Sequence, residues 1–389
     1  MRVFCFLLSV VFCLSATAGQ PSFQGLEKDD ATNRRIMANE VFYKADQTHD
    51  YKLSVTDGDA WDQYGKLDAD GNGQVSFDEF VAGADLPYPA WDGDVTRNIV
   101  YKRAGNEVLL MDIYAPRNAV KVKAPIFYYT HGGGWTGGSK EISYETRPLF
   151  EQLTKEGFVC VSVMYRLVKM WNPNDDVLMR DGLVDCRDGL RFLKMHEDEL
   201  GLDMNRVVVF GSSAGGHIAQ LLTFSGADAF LGEPSLQSYK VTPAAGISWF
   251  GPSDFRDTNL FVSNGLEDKF APDHWARRIT KEDSFNYETA DAKTRRMIEE
   301  LSPVWWLTKN SAPLLHMHGD QDVVISQRHA QHLKEQAAQK GADVEILMVK
   351  GAGHGWWNKG IEPDRDTLNR LTVEFAVKHT APPMTFRSP

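Results

Sequence analysis

Cysteine is scarce: the 389 residues contain 4. Two of these, Cys5 and Cys13, fall in the first twenty positions. So sparse a set excludes a disulfide scaffold. Cys160 lies in an apolar strand-like run and Cys186 in a helix-like one, settings that favour two buried thiols over a bridge. Beyond the N-terminus no segment is long and apolar enough to read as a membrane span. Positive charge is in deficit, with Lys+Arg 42 against Asp+Glu 53 and a formal net charge of −11. No Lys/Arg run compensates, which argues against nucleic acid or an anionic membrane surface as the main partner. The composition is 42% hydrophobic and 24% charged, which excludes a disordered or collagen-like chain.

Residues 1–18 read as a processing signal. Arg2 supplies the positive end, Val3 to Leu14 the short apolar stretch, and Ala16-Thr17-Ala18 a small-residue cleavage site. The mature chain is expected to begin at Gly19 and to be secreted or periplasmic, with no span left once the signal is removed.

Residues 27–84 carry a second theme. Asp68-Ala-Asp70-Gly-Asn72-Gly73-Gln74-Val75-Ser76-Phe77-Asp78-Glu79 is spaced as a calcium loop. Asp68, Asp70 and Asn72 offer side-chain oxygens, Gln74 its carbonyl, and Glu79 a closing carboxylate, as hard Ca²⁺ requires. Gly73 permits the sharp turn. Twenty-two residues upstream, Asp46, Thr48, Asp50, Lys52 and Asp57 follow the same spacing, with Leu53 aligned to Val75. There Tyr51 replaces the glycine and Asp57 the longer Glu, so this copy is expected to be a weak or purely structural partner. The two resemble an EF-hand pair, as found in secreted bacterial proteins, and also dockerins. Residues 85–94, rich in Pro, Gly and aromatics, read as a linker.

From residue 95 to about 382, strands and helices alternate as βα units, which predicts a mostly parallel sheet. Gly211-Ser212-Ser213-Ala214-Gly215 follows the apolar strand Val207 to Phe210 and opens a helix-like stretch. That strand–turn–helix context is what an exposed nucleophilic serine needs. His131-Gly132-Gly133-Gly134-Trp135 leaves another strand. Its amides, with that of Ala214, are candidates for an oxyanion hole. Asp322, in His318-Gly-Asp320-Gln-Asp322, and His354, in Gly351-Ala-Gly353-His354-Gly355, each follow further strands. The chain order is therefore Ser213, Asp322, His354. Asp320 reads as a structural neighbour of the acid and His217 as packing.

Together these motifs resemble the α/β-hydrolase superfamily, in its hormone-sensitive-lipase-like and carbohydrate-esterase-like branch. The resemblance implies an α/β-hydrolase fold behind a small all-α EF-hand domain. It implies a serine carboxylesterase with Ser213, Asp322 and His354 as the triad and Gly132, Gly133, Gly134 and Ala214 around the oxyanion. Short-chain or carbohydrate-linked esters, acetyl or feruloyl groups on plant or algal polysaccharide, are the implied substrates. Ca²⁺ is expected in a structural role and no cofactor in the chemistry. Trp135 and Trp356 are expected to wall the substrate site, with Trp357 beside them open between wall and packing. Residues 255–300, long and charged, are expected to form a partial cap. A serine peptidase, or a Ca²⁺-dependent docking protein with a silent hydrolase domain, are the competing readings. The first lacks length for a propeller, and the intact Ser213, Asp322, His354 and glycine loop count against the second.

Overall fold

The computed structural model describes residues 26–45, 52–85, 91, 93–116, 123–143, 146–170, 172, 174–261, 272–284 and 286–381. The expected leader lies outside them, as do Asp46, Thr48 and Asp50.

The N-terminal segment comprises α1 (Asp30–Ala45), β1 (Lys52–Leu53), α2 (Asp59–Tyr64), β2 (Val75–Ser76) and α3 (Phe77–Gly83). Among its described residues the regular elements are helical apart from the ladder of β1 and β2, which pair antiparallel with Leu53 opposite Val75. Both residues are buried with Ala38, Phe42 and Phe80 in a small core. Phe42 meets Phe77 and Phe80 edge-on at 5.5 and 5.2 Å. Each short strand runs into the same capping box, Ser54 with Asp57 and Ser76 with Glu79. Ahead of α1, Lys28 bridges Ile99, Asp29 N–H donates to the Asn98 carbonyl (3.0 Å) and Val100 N–H to that of Glu27 (2.9 Å). This stretch covers part of a sheet edge that would otherwise expose unpaired backbone groups.

The main sheet has eight strands: β3 (Asp94–Ala104), β4 (Glu107–Ala115), β5 (Ala124–Thr130), β6 (Val159–Val163), β7 (Leu202–Ser212), β8 (Ala245–Trp249), β9 (Leu314–Gly319) and β10 (Val344–Val349). Their order is β10-β9-β8-β7-β5-β6-β4-β3, parallel from β10 to β6, with β4 and β3 antiparallel at one edge. Alternation explains why both faces are covered. Ile126, Tyr128, Val207 and Val209 face one apolar cluster, whereas Phe127, Tyr129, Val208 and Phe210 face the other. The first is closed by α5 (Met179–Met195) and α6 (Ala214–Phe224), the second by α4 (Arg147–Lys155) and α11 (Arg365–Thr380). The periodic pattern predicts α5 as far as Leu200, but the helix ends at Met195 and Leu200 packs back from a turn. Cys160 and Cys186 are free and buried.

Within 255–300 the described elements are a short 3₁₀ turn at Thr258–Phe261, α7 (Pro272–Ile279) and α8 (Ala292–Glu300). After them come α9 (Pro303–Trp306) and α10 (Arg328–Lys340). Phe255, Phe261, Trp275 and Ile279 are buried. Phe270 and Phe285 lie outside the described residues.

Candidate active site

The site lies at the carboxyl ends of the parallel strands. Ser213 joins β7 to α6 and is held at φ 54°, ψ −121°, a region that costs a residue with a side chain about 1–3 kcal/mol. Packing maintains this turn. Ser213 N–H donates to the Trp249 carbonyl at the end of β8 (2.9 Å). A Cβ on Gly215 would lie 2.0 Å from the Thr130 carbonyl oxygen, so only glycine lets α6 approach β5 this closely.

His354 and Asp322 arrive from the loops after β10 and β9. His354 Nε2 lies 2.9 Å from Ser213 Oγ, and its Nδ1 lies 2.8 Å from Asp322 Oδ2. Carboxylate oxygens accept here, so His354 Nδ1 carries the proton and Nε2 faces the serine hydroxyl. Asp322 Oδ1 accepts the N–H groups of Val324 (2.8 Å) and Ile325 (2.9 Å). Burial raises the Asp322 carboxyl pKa. Hydrogen bonds from His318 and His354 outweigh burial and leave it well below the usual carboxylate range. Asp320 instead accepts Gly351 N–H (2.7 Å) and ties the two loops together.

The glycine run lies against the serine. A Cβ on Gly132 would stand 3.5 Å from Ser213 Cβ. Gly133 and Gly134 adopt φ 113° and 61°. The Gly133 carbonyl accepts from Thr136 N–H (3.1 Å) and Gly137 N–H (3.0 Å), closing a tight loop. Ala214 N–H opens α6, where the first amides have no intrahelical acceptor. His131 Nδ1–H donates to the Gly132 carbonyl (2.7 Å), and its ring stacks on Tyr165 at 4.2 Å. Burial pushes the His131 pKa down to about 4, so the ring is neutral at pH 7.

The two tryptophans expected as a substrate wall are packing residues. Trp135 is 1% exposed, edge-on to Trp275 at 5.2 Å and to His217 at 5.1 Å. Trp356 is 5% exposed, against Trp249 and Phe250. Filling space between the loops and the sheet takes both rings out of contact with solvent. Trp357 is the exposed neighbour, with Nε1–H donating to the His354 carbonyl (3.2 Å). Phe250 packs on the His354 ring at 4.7 Å.

Two further contacts escape motif reasoning. Arg278 of α7, almost fully buried, donates from Nε to the Gly134 carbonyl (2.8 Å). Its pair of adjacent arginines gives no local sign of a partner 144 residues away. His318 Nε2 lies 3.4 Å from Asp322 Oδ2. The His-Gly-x-x-Asp spacing could have suggested this contact. His217 donates from Nε2 to the Leu301 carbonyl (2.7 Å), and burial lowers its pKa to about 4. This is the packing role expected of it.

In the N-terminal segment, oxygens of Asp68, Asp70 and Glu79 converge within 4.8 Å. The loop is organised around Asp68, whose Oδ1 accepts Gly71 N–H (2.8 Å) and whose Oδ2 accepts Gly73 N–H (2.8 Å). Asn72 Oδ1 accepts Gln74 N–H (2.9 Å). Glu79 Oε1 accepts Ala69 N–H (2.9 Å) and closes the loop. Of the weaker upstream set, Asp57 is buried and accepts Ser54 N–H (2.8 Å), and Lys52 sits on β1.

A strained serine after a central strand, hydrogen-bonded through histidine to aspartate, on a sheet of this strand order, defines an α/β-hydrolase. The chain belongs to the BD-FAE family, whose model matches residues 111–337. The dienelactone hydrolase family model matches residues 302–376. Esterase LipC of Mycobacterium tuberculosis is 24% identical over 250 residues, 64% of this chain and 57% of that protein. The LipM protein of the same organism is 26% identical over 251 residues, 64% of this chain and 52% of the other. The chain thus spans about half the length of the curated relatives it matches. Among solved structures, the apo form of Thermogutta terrifontis esterase 2 aligns with TM-score 0.56 at 23% identity, covering 74% of this chain and 94% of that one. The same esterase phosphonylated by sarin aligns with TM-score 0.58 at 22% identity, covering 76% and 100%. At this identity the likeness is one of fold.

Proposed function

We propose that the protein is a secreted or periplasmic serine carboxylesterase that hydrolyses short-chain or carbohydrate-linked esters. The observation that carries this reading is the hydrogen-bonded chain Ser213–His354–Asp322 beside the glycine loop. A serine hydroxyl is a poor nucleophile until a base takes its proton. His354 Nε2 does so as Oγ attacks the ester carbonyl. Asp322, held ionised, fixes the tautomer and stabilises the imidazolium. The amides of Gly133, Gly134 and Ala214 receive the oxyanion, with Gly132 serving the turn. Each such donor contributes on the order of 10²–10³ in turnover. His354 then protonates the leaving alcohol, and water releases the acid from the acyl-serine.

Acetyl or feruloyl groups on plant or algal polysaccharide are the proposed substrates, a reading that rests on the resemblance of the motifs, while the esterase relatives support ester cleavage in general. Release from acetylated xylan and methyl ferulate would be measured beside p-nitrophenyl esters from acetate to dodecanoate. Turnover confined to the short p-nitrophenyl esters would overturn the polysaccharide reading. Ser213→Ala should lower p-nitrophenyl acetate hydrolysis by at least about 10⁴-fold. Residual activity close to that of the native chain would overturn the esterase reading.

The loop at 68–79 is proposed as a structural Ca²⁺ site. Its donors are all hard oxygens: the side chains of Asp68, Asp70, Asn72 and Glu79 and the carbonyl of Gln74. A bound ion there would pin the loop between α2 and α3 and take no part in ester cleavage.

A further inference from the structure

Behind the triad acid stands a second histidine that the hydrolytic mechanism does not use. His318, at the end of β9, is fully buried. Its Nε2 lies 2.8 Å from the Ile325 carbonyl and 3.4 Å from Asp322 Oδ2. A carbonyl oxygen only accepts, so Nε2 carries hydrogen whatever the state of the ring. That hydrogen goes to the Ile325 carbonyl, and the same edge of the ring faces, at 3.4 Å, the carboxylate oxygen that receives His354 Nδ1–H. On its other side His318 Nδ1 meets His316 Nε2 at 3.1 Å. His316 is fully buried, and its Nδ1 finds no partner among the described residues.

The consequence is geometric. A carboxylate that orients a catalytic imidazole must itself be unable to rotate. Oδ1 is fixed by two backbone amides, Val324 and Ile325. Oδ2 would otherwise depend on His354 alone, a residue on a loop that must exchange protons with substrate. His318 supplies a second contact to Oδ2 from the rigid end of a central strand, and His316 holds its ring plane one strand position pair earlier. The acidity of Asp322 agrees: after the opposing effect of burial, the hydrogen bond from His318 is the largest cause of its lowered pKa.

We infer that His318 is a positioning residue for the triad, holding Asp322 Oδ2 through its Nε2–H in the orientation that His354 needs. This rests on the esterase reading above and adds to it a residue that touches neither substrate nor the reacting atoms.

The test compares full-length native chain, Ser213→Ala, His318→Leu and His318→Gln on p-nitrophenyl acetate. Active sites are titrated to completion with an organophosphate, so that kcat refers only to folded, competent molecules. Glutamine places an amide N–H near the position of His318 Nε2, whereas leucine fills similar space with no donor. His318→Leu should lose roughly 10- to 100-fold in kcat, the scale of a small misplacement in a triad, with KM within about twofold. His318→Gln should recover most of that loss. If His318→Leu does not fold, His318→Asn replaces it, because the shorter amide meets His316 but falls short of Asp322. A kcat per titrated site in the donor-less variant equal to the native value, whatever the melting temperature, would overturn the inference. So would equal damage in the donor-less and glutamine variants. A native chain that fails to hydrolyse the ester, or a Ser213→Ala variant that still does, would instead bring down the esterase reading itself.

Discussion

Single residues decide the chemistry here through backbone conformations that few side chains tolerate. Ser213 holds a left-handed φ because Trp249 and the Gly215–Thr130 contact leave no alternative. Gly133 is equally constrained: at φ 113° a Cβ would lie 2.2 Å from the Gly137 carbonyl oxygen. Gly133→Ala is therefore expected to shift the loop and lower kcat on p-nitrophenyl acetate by about 10²–10³-fold, the loss of one oxyanion donor. An unchanged kcat in a variant that melts with the native chain would count against the role of this loop. The tryptophans teach the opposite lesson. Trp135 and Trp356 stand next to the glycine run and His354 in the chain, yet both point into aromatic packing. Adjacency along a sequence says little about which side of a loop a ring occupies.

Elements carry the ionic and ligand-binding questions. Helix α5 buries Asp185, Asp188, Arg187 and Arg191 against the sheet. Lys102 Nζ sits 2.7 Å from both Asp185 Oδ1 and Asp188 Oδ2, and Arg191 Nη1 lies 2.9 Å from Asp188 Oδ1. Such a network gives little net stability when whole, because desolvation offsets attraction. Breaking it strands buried cations, so Asp188→Ala is expected to cost about 3–5 kcal/mol in urea unfolding. The loop between α2 and α3 makes a different prediction. Ca²⁺ at a hundredfold excess over its dissociation constant should stabilise the segment by about 2.7 kcal/mol, read as a rise in melting temperature. Glu79→Gln should abolish that rise. Chelation that stopped turnover while circular dichroism stayed native would contradict a purely structural ion.

At the scale of the whole molecule, acid sensitivity follows from histidines the fold keeps neutral. Burial lowers His131 and His217 to about 4 and His329 to about 3. The unfolded chain protonates these rings near the ordinary value of ~6.5. Between that pH and about 4, the unfolded state binds protons that the folded state refuses. Their contribution is fully present above pH ~6.5 and is lost as the pH falls, by up to about 1.4 kcal/mol per pH unit for each. Melting temperature should therefore drop steeply from pH 6.5 to 4. His217→Gln, which removes a titrating ring from this set, should flatten the decline. A flat profile over this range would contradict the buried neutral state.

Much of this was legible in the chain alone. Short continuous apolar runs mark the central strands, because a strand buried on both faces must be apolar at nearly every position: Val159 and Ala245 begin such strands where the pattern starts, whereas the edge strand from Val344 is only partly buried. The order of Ser213, Asp322 and His354 is legible because each follows a strand end, where a parallel sheet must place its loops. The twenty-two-residue spacing of two loops is legible because it sets Leu53 opposite Val75. What the linear order could not hold is contact between distant segments. Arg278 reaches Gly134, and Asn98 takes Asp30 through its side chain at 2.6 Å. Whether a tryptophan lines a cleft or fills a core, and which groups steady Asp322 behind His354, depend on how loops from different strands pack together. Local pattern specifies which residues can be buried, whereas only the closing of the sheet and its helices decides which neighbours they are buried against.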